Sequence, residues 1–427
     1  MFRQSFRDLE SGMPHGSCME WLTRMLSTFF VSTCLIMSSS LQGVENLPAF
    51  PGAEGFGALA SGGRGGEIYH VTNLRNDGRG SLRDAVSRGP RIVVFDIGGY
   101  IELASPLQVA GNITVAGQTA PGEGICVRNY EVSLSKAHNV IIRYLRFRQG
   151  MTPSQKRKYA LAVNESSDVI LDHLSIEWGR WDCIGVGKSS NVSIQYCLIG
   201  EAIDPQRFGC LCQSDNVTFS HNLWIDNQSR NPKAKGHVQY INNVVYNWGA
   251  DGYVGGHSKA PHTADLIGNY FIGGPSSSTR FAGEFTSTDR IFQSGNLVEM
   301  NRDGHLFGRP AVSKDFAGAT LITRRSMFPS VGVTEESAAN AYADVSASAG
   351  DSIHRDTIDR RLIDQLNSLG RIGAIIHDPK QVGGFAEIHG GSARAIPAAD
   401  ERTILPSGYT STELFLNSLV NVSGVQR

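Results

Sequence analysis

The chain has 427 residues, 41% of them hydrophobic and 19% charged, with a formal net charge of −1. That balance excludes a nucleic-acid or membrane-surface binder acting through global charge, so an anionic ligand would need a local basic cluster. Glycine is the outlier at 48 residues without a collagen period, which implies many turns rather than disorder.

In chain order, the first feature is an apolar run, Met25–Met37, preceded by Arg24 and followed by Ser38–Ser40. A positive flank, a short apolar core and small residues beyond it read as a secretory signal peptide. The run is shorter than the roughly 20 residues of a membrane span. Residues 1–43 are therefore expected to be a leader, and the mature chain to be secreted or periplasmic with no membrane span. Asn46–Gly111 follows. Ser81–Ser87 predicts a short helix with Ser81 as N-cap, and Val93–Phe95 and Tyr100–Leu103 predict strands. This segment is expected to form an N-terminal cap and first coil.

From Asn112 the chain repeats itself. NITVAG, NVIIRYLRF, DVILDHLSI, NVSIQYCLI and NVTFSHNLW begin at Asn112, Asn139, Asp168, Asn191 and Asn216, separated by 27, 29, 23 and 25 residues. Looser copies follow at His237, Ala264 and Asp289. Each alternates apolar and polar residues at the period of a strand, with no room between copies for crossover helices. Coils of this length, each of short strands joined by turns, fit a parallel β-helix. Aligning the copies puts His173, Cys197, Asn222, Asn243, Asn269 and Asn296 at one position, predicting a column of stacked side chains.

Beyond Asn301 the character changes. Ala338–Ala347 and Thr357–Leu369 predict helices, with a start near Thr334 and Ser337 and a stop at Gly370. The expected organisation is a leader (1–43), a β-helix with its cap (44–306) and a partly helical flanking segment (307–427). Of seven cysteines, Cys126, Cys183, Cys197, Cys210 and Cys212 lie outside the leader; an odd number leaves at least one unpaired, and buried thiols are favoured over a metal site. Arg143, Arg146 and Arg148, with Lys156, Arg157 and Lys158, read either as a basic groove or as a solvated strand face. Trp178, Trp181, Trp224 and Trp248 are candidates for stacking on sugars, with packing the commoner role.

Several segments now carry a resemblance. FPGAEGFG, SGGRGG, GSLRDAV and RIVVFDIGG in the N-terminal part, GQTAPGEGI at Gly117–Ile125 and NVIIRYLRFRQG closely resemble bacterial pectate lyases of polysaccharide lyase family 1, over roughly Ala49 to Leu306. ILDH at Ile170–His173 and SRNPKAK at Ser229–Lys235 are similar to two of that family's motifs. The resemblance implies an all-β fold, a right-handed single-stranded parallel β-helix. It also implies β-elimination on pectate or a related uronate polymer, a calcium cofactor and a monomer.

In that reaction a base removes the proton at C5 of a uronate, and the bond from C4 to the glycosidic oxygen breaks. Negative charge builds on the carboxylate side, so the site needs cations as well as a base. Arg230 matches the family's arginine base. From residue chemistry alone a guanidinium, with its high pKa, is better suited to clamping a carboxylate. Lys235 stands where the motif has its second arginine; it keeps the charge but not the bidentate fork. Lys233, Arg207 and Arg180 are further candidate substrate cations. Asp182 is the best match to a calcium ligand, weighed against an ion pair with Arg180, and Asp172 is a weaker candidate. Gly185 and Tyr159–Ala162 occupy positions where the family places carboxylates, so a complete cage is not visible. The alternatives are a non-catalytic carbohydrate-binding β-helix and a β-helix glycoside hydrolase, which would need a carboxylate pair.

Overall fold

Each repeat becomes a strand, a sharp corner and a second strand. Ser167–Asp172 turns at His173 and resumes as Ser175–Glu177, and the chain then enters the long strand Asp182–Gln195. The corner residue takes left-handed backbone in coil after coil: Tyr144, His173, Tyr196, His221, Asn242, Gly268 and Gly295 have φ between 50° and 66°. Successive coils pair in parallel and in register, so Val140, Val169, Val192, Val217 and Val238 lie one above another inside the coil. Stiff β-branched side chains suit such a stack, because every copy packs in the same rotamer against its neighbours.

The computed structural model describes residues 47–393 and 403–420, so the expected leader lies outside the described residues. Among them, strands form a 16-stranded sheet and a 10-stranded sheet. The larger sheet bends where its long strands shift register, between Gly187 and Ser190 and between Ser214 and Val217, and so makes two of the coil's faces. The architecture is the parallel β-helix read from the repeats. Strand pairing continues past Leu306 to Thr320–Leu321, beside Arg290–Ile291. No helix of the described residues is long and apolar enough to cross a membrane.

The predicted column exists for Asn222, Asn243, Asn269 and Asn296. The Oδ1 of each of the last three accepts from the backbone N–H and the Nδ2 of the asparagine one coil earlier, at 2.8–3.2 Å. Cys197 joins it through its backbone N–H, which donates to Asn222 Oδ1 at 2.8 Å. His173 does not. Ser175 pairs with Leu198, so Leu174 is the residue opposite Cys197. His173 falls one place earlier, in an aromatic corner stack of Tyr144, His173, Tyr196 and His221 with ring centroids 4.6–5.0 Å apart. The coil at that point is one residue shorter than the alignment assumed.

The flanks of the coil are covered selectively. Ala49, Phe50, Ala53, Ala58 and Ala60 pack on the outer face against Ile141 and Ile170. Gly57 lets this segment in: a Cβ there would sit 2.1 Å from the carbonyl oxygen of Val169. The helix Leu82–Ala85, capped by Ser81 as expected, packs into the core. The helices Ala338–Ser348, capped by Ser337, and Thr357–Asn367 cover the outside of the 10-stranded sheet. The helix Ser411–Ser418 covers Ile92, Val94 and Ala116.

Two expectations change here and a third is met. Arg143, Arg146 and Arg148 form neither a groove nor a solvated face, because all three are buried. Arg143 pairs with Asp172, and Arg148 with Glu177, Asp356 and Asp359. Lys156, Arg157 and Lys158 stay exposed. Trp178, Trp224 and Trp248 are fully buried and cannot stack on a sugar, whereas Trp181 is partly exposed. All five cysteines outside the expected leader are free and buried, as the packing reading had it.

Candidate active site

The first halves of the long strands Asp182–Gln195, Phe208–Ser220 and Lys233–Ile241 carry the site. Residues alternate there between core and outside: Ala234 is buried, while Lys233 and Lys235 on either side of it are partly exposed. Pairing sets Lys233 opposite Leu211 and Lys235 opposite Gln213, and sets Asp182 opposite Phe208. On this face, among the described residues, the repeat periodicity yields partly exposed side chains such as Lys233 and Lys235.

Arg230 is held by its backbone before its side chain does anything. It adopts left-handed backbone at φ 61°. Its carbonyl accepts from Cys210 N at 2.7 Å, and the next amide, Asn231 N, donates to Gly252 O at 3.0 Å. From that corner the guanidinium lies over the Phe208 ring, 4.1 Å from its centroid. Nη1 donates to both oxygens of Asp182, at 3.1 and 3.4 Å. The Arg230 side chain is 21% exposed and that of Asp182 is 0% exposed. Burial pushes the Asp182 carboxyl up to about 7, against the opposing pull of Arg230 and Lys233.

Arg230, Asp182 and Lys233 therefore come together, with Lys235 two residues farther along the strand. The ion pair weighed for Asp182 as the alternative to calcium is made with Arg230 rather than with Arg180. Lys233 Nζ lies 2.8 Å from Glu284, which also approaches His257 at 3.4 Å. Arg180 is spent on loops: it is buried, donates to Thr152 O at 2.9 Å and Asp204 O at 3.1 Å, and has its pKa pulled down by that burial. Arg207 lies 3.3 Å from Asp204 and 3.3 Å from His377. Both candidates thus serve the turn at Asp204.

Asp172 does not belong to this site. It pairs with Gln195, the last residue of the 14-residue strand that Asp182 begins. It is fully buried and held by Arg143 Nε at 2.7 Å, Gln195 Nε2 at 2.8 Å and His173 Nδ1 at 2.8 Å. Those neighbours outweigh burial and hold its carboxyl well below the usual range. A hard cation takes six to eight oxygens. Around Asp182 the described residues supply one carboxylate, already paired, and the Tyr159 ring fills the next position: a Cβ on Gly185 would lie 2.6 Å from it. The residues present do not make a calcium cage.

Phe208 and Tyr159 were missed by sequence reasoning. Phe208 could have been found by extending the repeat register back from Asn216 to the coil edge beside Asp182. Tyr159 gave no signal beyond its place in YALA, since its role depends on Gly185 lacking a side chain.

No family model matches the chain. It is 40% identical over 402 residues to a probable pectate lyase C of Neosartorya fischeri, covering 89% of this chain and 95% of the relative. The protein of that name from Aspergillus terreus is 40% identical over 403 residues, covering 88% and 95%. Among solved structures, a thermostable pectate lyase matches with a TM-score of 0.53 at 13% identity, covering 70% of this chain and 97% of that one. A pectate lyase from Acidovorax avenae subsp. citrulli matches with a TM-score of 0.50 at 14% identity, covering 70% and 94%. At such identities the structural likeness is one of fold.

Proposed function

The chain belongs to the pectate lyase family, and on that footing we propose that it cleaves polygalacturonate, or a closely related uronate polymer, by β-elimination at Arg230. The observation that carries this reading is the Arg230–Asp182 pair, a partly exposed guanidinium locked by backbone, ring and buried carboxylate on the uncovered face. Arg230, as a neutral guanidine that has released one proton to solvent, takes the proton from C5, the role the family resemblance carries. The C5–H electron pair becomes the C4–C5 double bond, the C4–O bond breaks, and the departing oxygen is protonated by solvent. Asp182 fixes the direction of the guanidinium. Lys233 and Lys235, two residues apart on the same face, neutralise charge on uronate carboxylates as it builds. Calcium is the cofactor that the resemblance implies, but Asp182 alone does not form its cage.

The test is Arg230→Lys on polygalacturonate, following absorbance of the unsaturated product. Lysine keeps the charge but cannot put a nitrogen where the planar guanidinium sits. A group acting in the chemical step lowers kcat and kcat/KM together, here by about 10²–10⁴-fold. An unchanged kcat would remove Arg230 from the chemistry, and new reducing ends without the unsaturated chromophore would indicate hydrolysis instead.

A further inference from the structure

We propose a second site, unrelated to the cleavage chemistry, that binds one divalent first-row transition metal ion of the zinc class through His221, Glu336 and Asp344. One ligand atom from each of the three lies within 4.8 Å of the other two. The site is remote along the chain's own ladder: Phe208, under Arg230, begins the 13-residue strand Phe208–Ser220, and His221 follows its last residue.

Each ligand is aimed by the fold. His221 is a corner residue with φ 54°, its ring stacked on Tyr196 at 4.7 Å and its side chain 2% exposed. Glu336 is fixed from the next coil: Asn242 Nδ2 donates to Glu336 O at 2.8 Å, and Glu336 N donates to Asn242 Oδ1 at 3.1 Å. Asp344 projects from the helix Ala338–Ser348 and accepts from the Tyr196 hydroxyl at 3.3 Å.

The two edges of the imidazole make the case. Nε2 faces Glu336 Oε1 at 3.1 Å. Nδ1 faces Glu54 Oε2 at 4.0 Å, and both of those buried atoms lack a hydrogen-bond partner. Glu54 is itself anchored, its Oε1 accepting from Thr334 N at 3.0 Å. A neutral imidazole has one N–H. Nε2 and Glu336 Oε1 stand at hydrogen-bond distance, which a proton on Nε2 satisfies; with the proton on Nδ1 instead, on the side of Glu54, the Nε2 lone pair and the Glu336 carboxylate can share a cation. A carboxylate behind one ring nitrogen and a metal on the other is the usual outer-shell pattern for metal-bound histidine. Zinc-class ligands stand about 2.0–2.2 Å from the ion, hence about 3.4 Å from each other. The observed spacing closes to that with small rotations of Glu336 and Asp344, both partly exposed. One imidazole among carboxylates favours zinc-class ions over calcium, which takes oxygen alone.

The test is calorimetric titration of ZnCl₂ into chelator-stripped, dialysed full-length protein, with thermal melts in parallel. One equivalent should bind saturably and raise Tm. Glu336→Gln with Asp344→Asn should weaken binding at least 100-fold and abolish the Tm shift. Glu54→Gln should weaken it about 10–100-fold. CaCl₂ at equal concentration should give no comparable shift. Neither carboxylate variant removes a core side chain, so both should fold. Absence of saturable zinc binding, or equal affinity in the double variant, would overturn the assignment and leave His221 and Glu336 as a hydrogen-bonded pair.

Discussion

Asp182 is fully buried, yet among the described residues its only ion-pair partner is the partly exposed Arg230. Desolvation therefore dominates, and its carboxyl rises from 3.8 to about 7. A carboxyl with a raised native pKa binds its proton more tightly folded than unfolded, so it contributes stability at low pH and loses it as pH climbs from about 4 to 7. The loss is on the order of 4 kcal/mol at most. Asp182→Asn should therefore gain stability relative to the parent across that window, by up to a few kcal/mol, and be least favoured near pH 4. Urea melts from pH 4 to 8 measure the difference; a pH-independent offset would mean that Asp182 is an ordinary carboxylate. Arg230 was legible from its motif. The environment of Asp182 was not, because Phe208 and Tyr159 reach it only through coil stacking.

At the scale of the element, the asparagine ladder is the repeating unit that pins successive corners. Asn243 accepts from Asn222 N and Nδ2, and its own Nδ2 donates to Phe219 O at 2.9 Å. Asn243→Ala strands these buried groups without partners, at about 1–3 kcal/mol each. A loss of about 2–5 kcal/mol is expected in denaturant melts, and a loss under about 1 kcal/mol would show that water replaces the ladder. Four rungs were readable because their spacing follows the coil length. His173 was misplaced because a single-residue change in coil length shifts a register by one, which spacing alone does not resolve.

The flanking helices are part of the same folding unit as the coil. Arg148 is fully buried, and Asp356 and Asp359 join Glu177 of the coil in surrounding it. Asp356 also caps the helix Thr357–Asn367, accepting from Ile358 N and Asp359 N at 3.0 Å. Removing one partner of a buried pair costs about 3–5 kcal/mol, and losing the cap adds about 0.5–2 kcal/mol. Asp356→Ala should fall at the upper end of that range. Asp356→Asn keeps the cap and should recover only about 1 kcal/mol, as melts of both variants would reveal. Full recovery by asparagine would make the cap, not the charge, the anchor.

By itself the sequence determined the coil: its period, its inward β-branched residues, its asparagine column, its two long flanking helices and the motif holding Arg230. These follow from local alternation and spacing, which each repeat states anew. Tertiary structure decided which charges are buried and which are left to work. Arg143, Arg146 and Arg148 look in sequence like a basic strip, but the Asp172 strand and the helix after Asp356 neutralise them inside the molecule. Asp182 and Asp172 look alike as acids, yet one is satisfied by Arg143, Gln195 and His173 and the other faces a single guanidinium. The partners come from residues as much as 211 positions away, and no local pattern encodes a pairing made by the stacking of coils and the docking of helices on their flank.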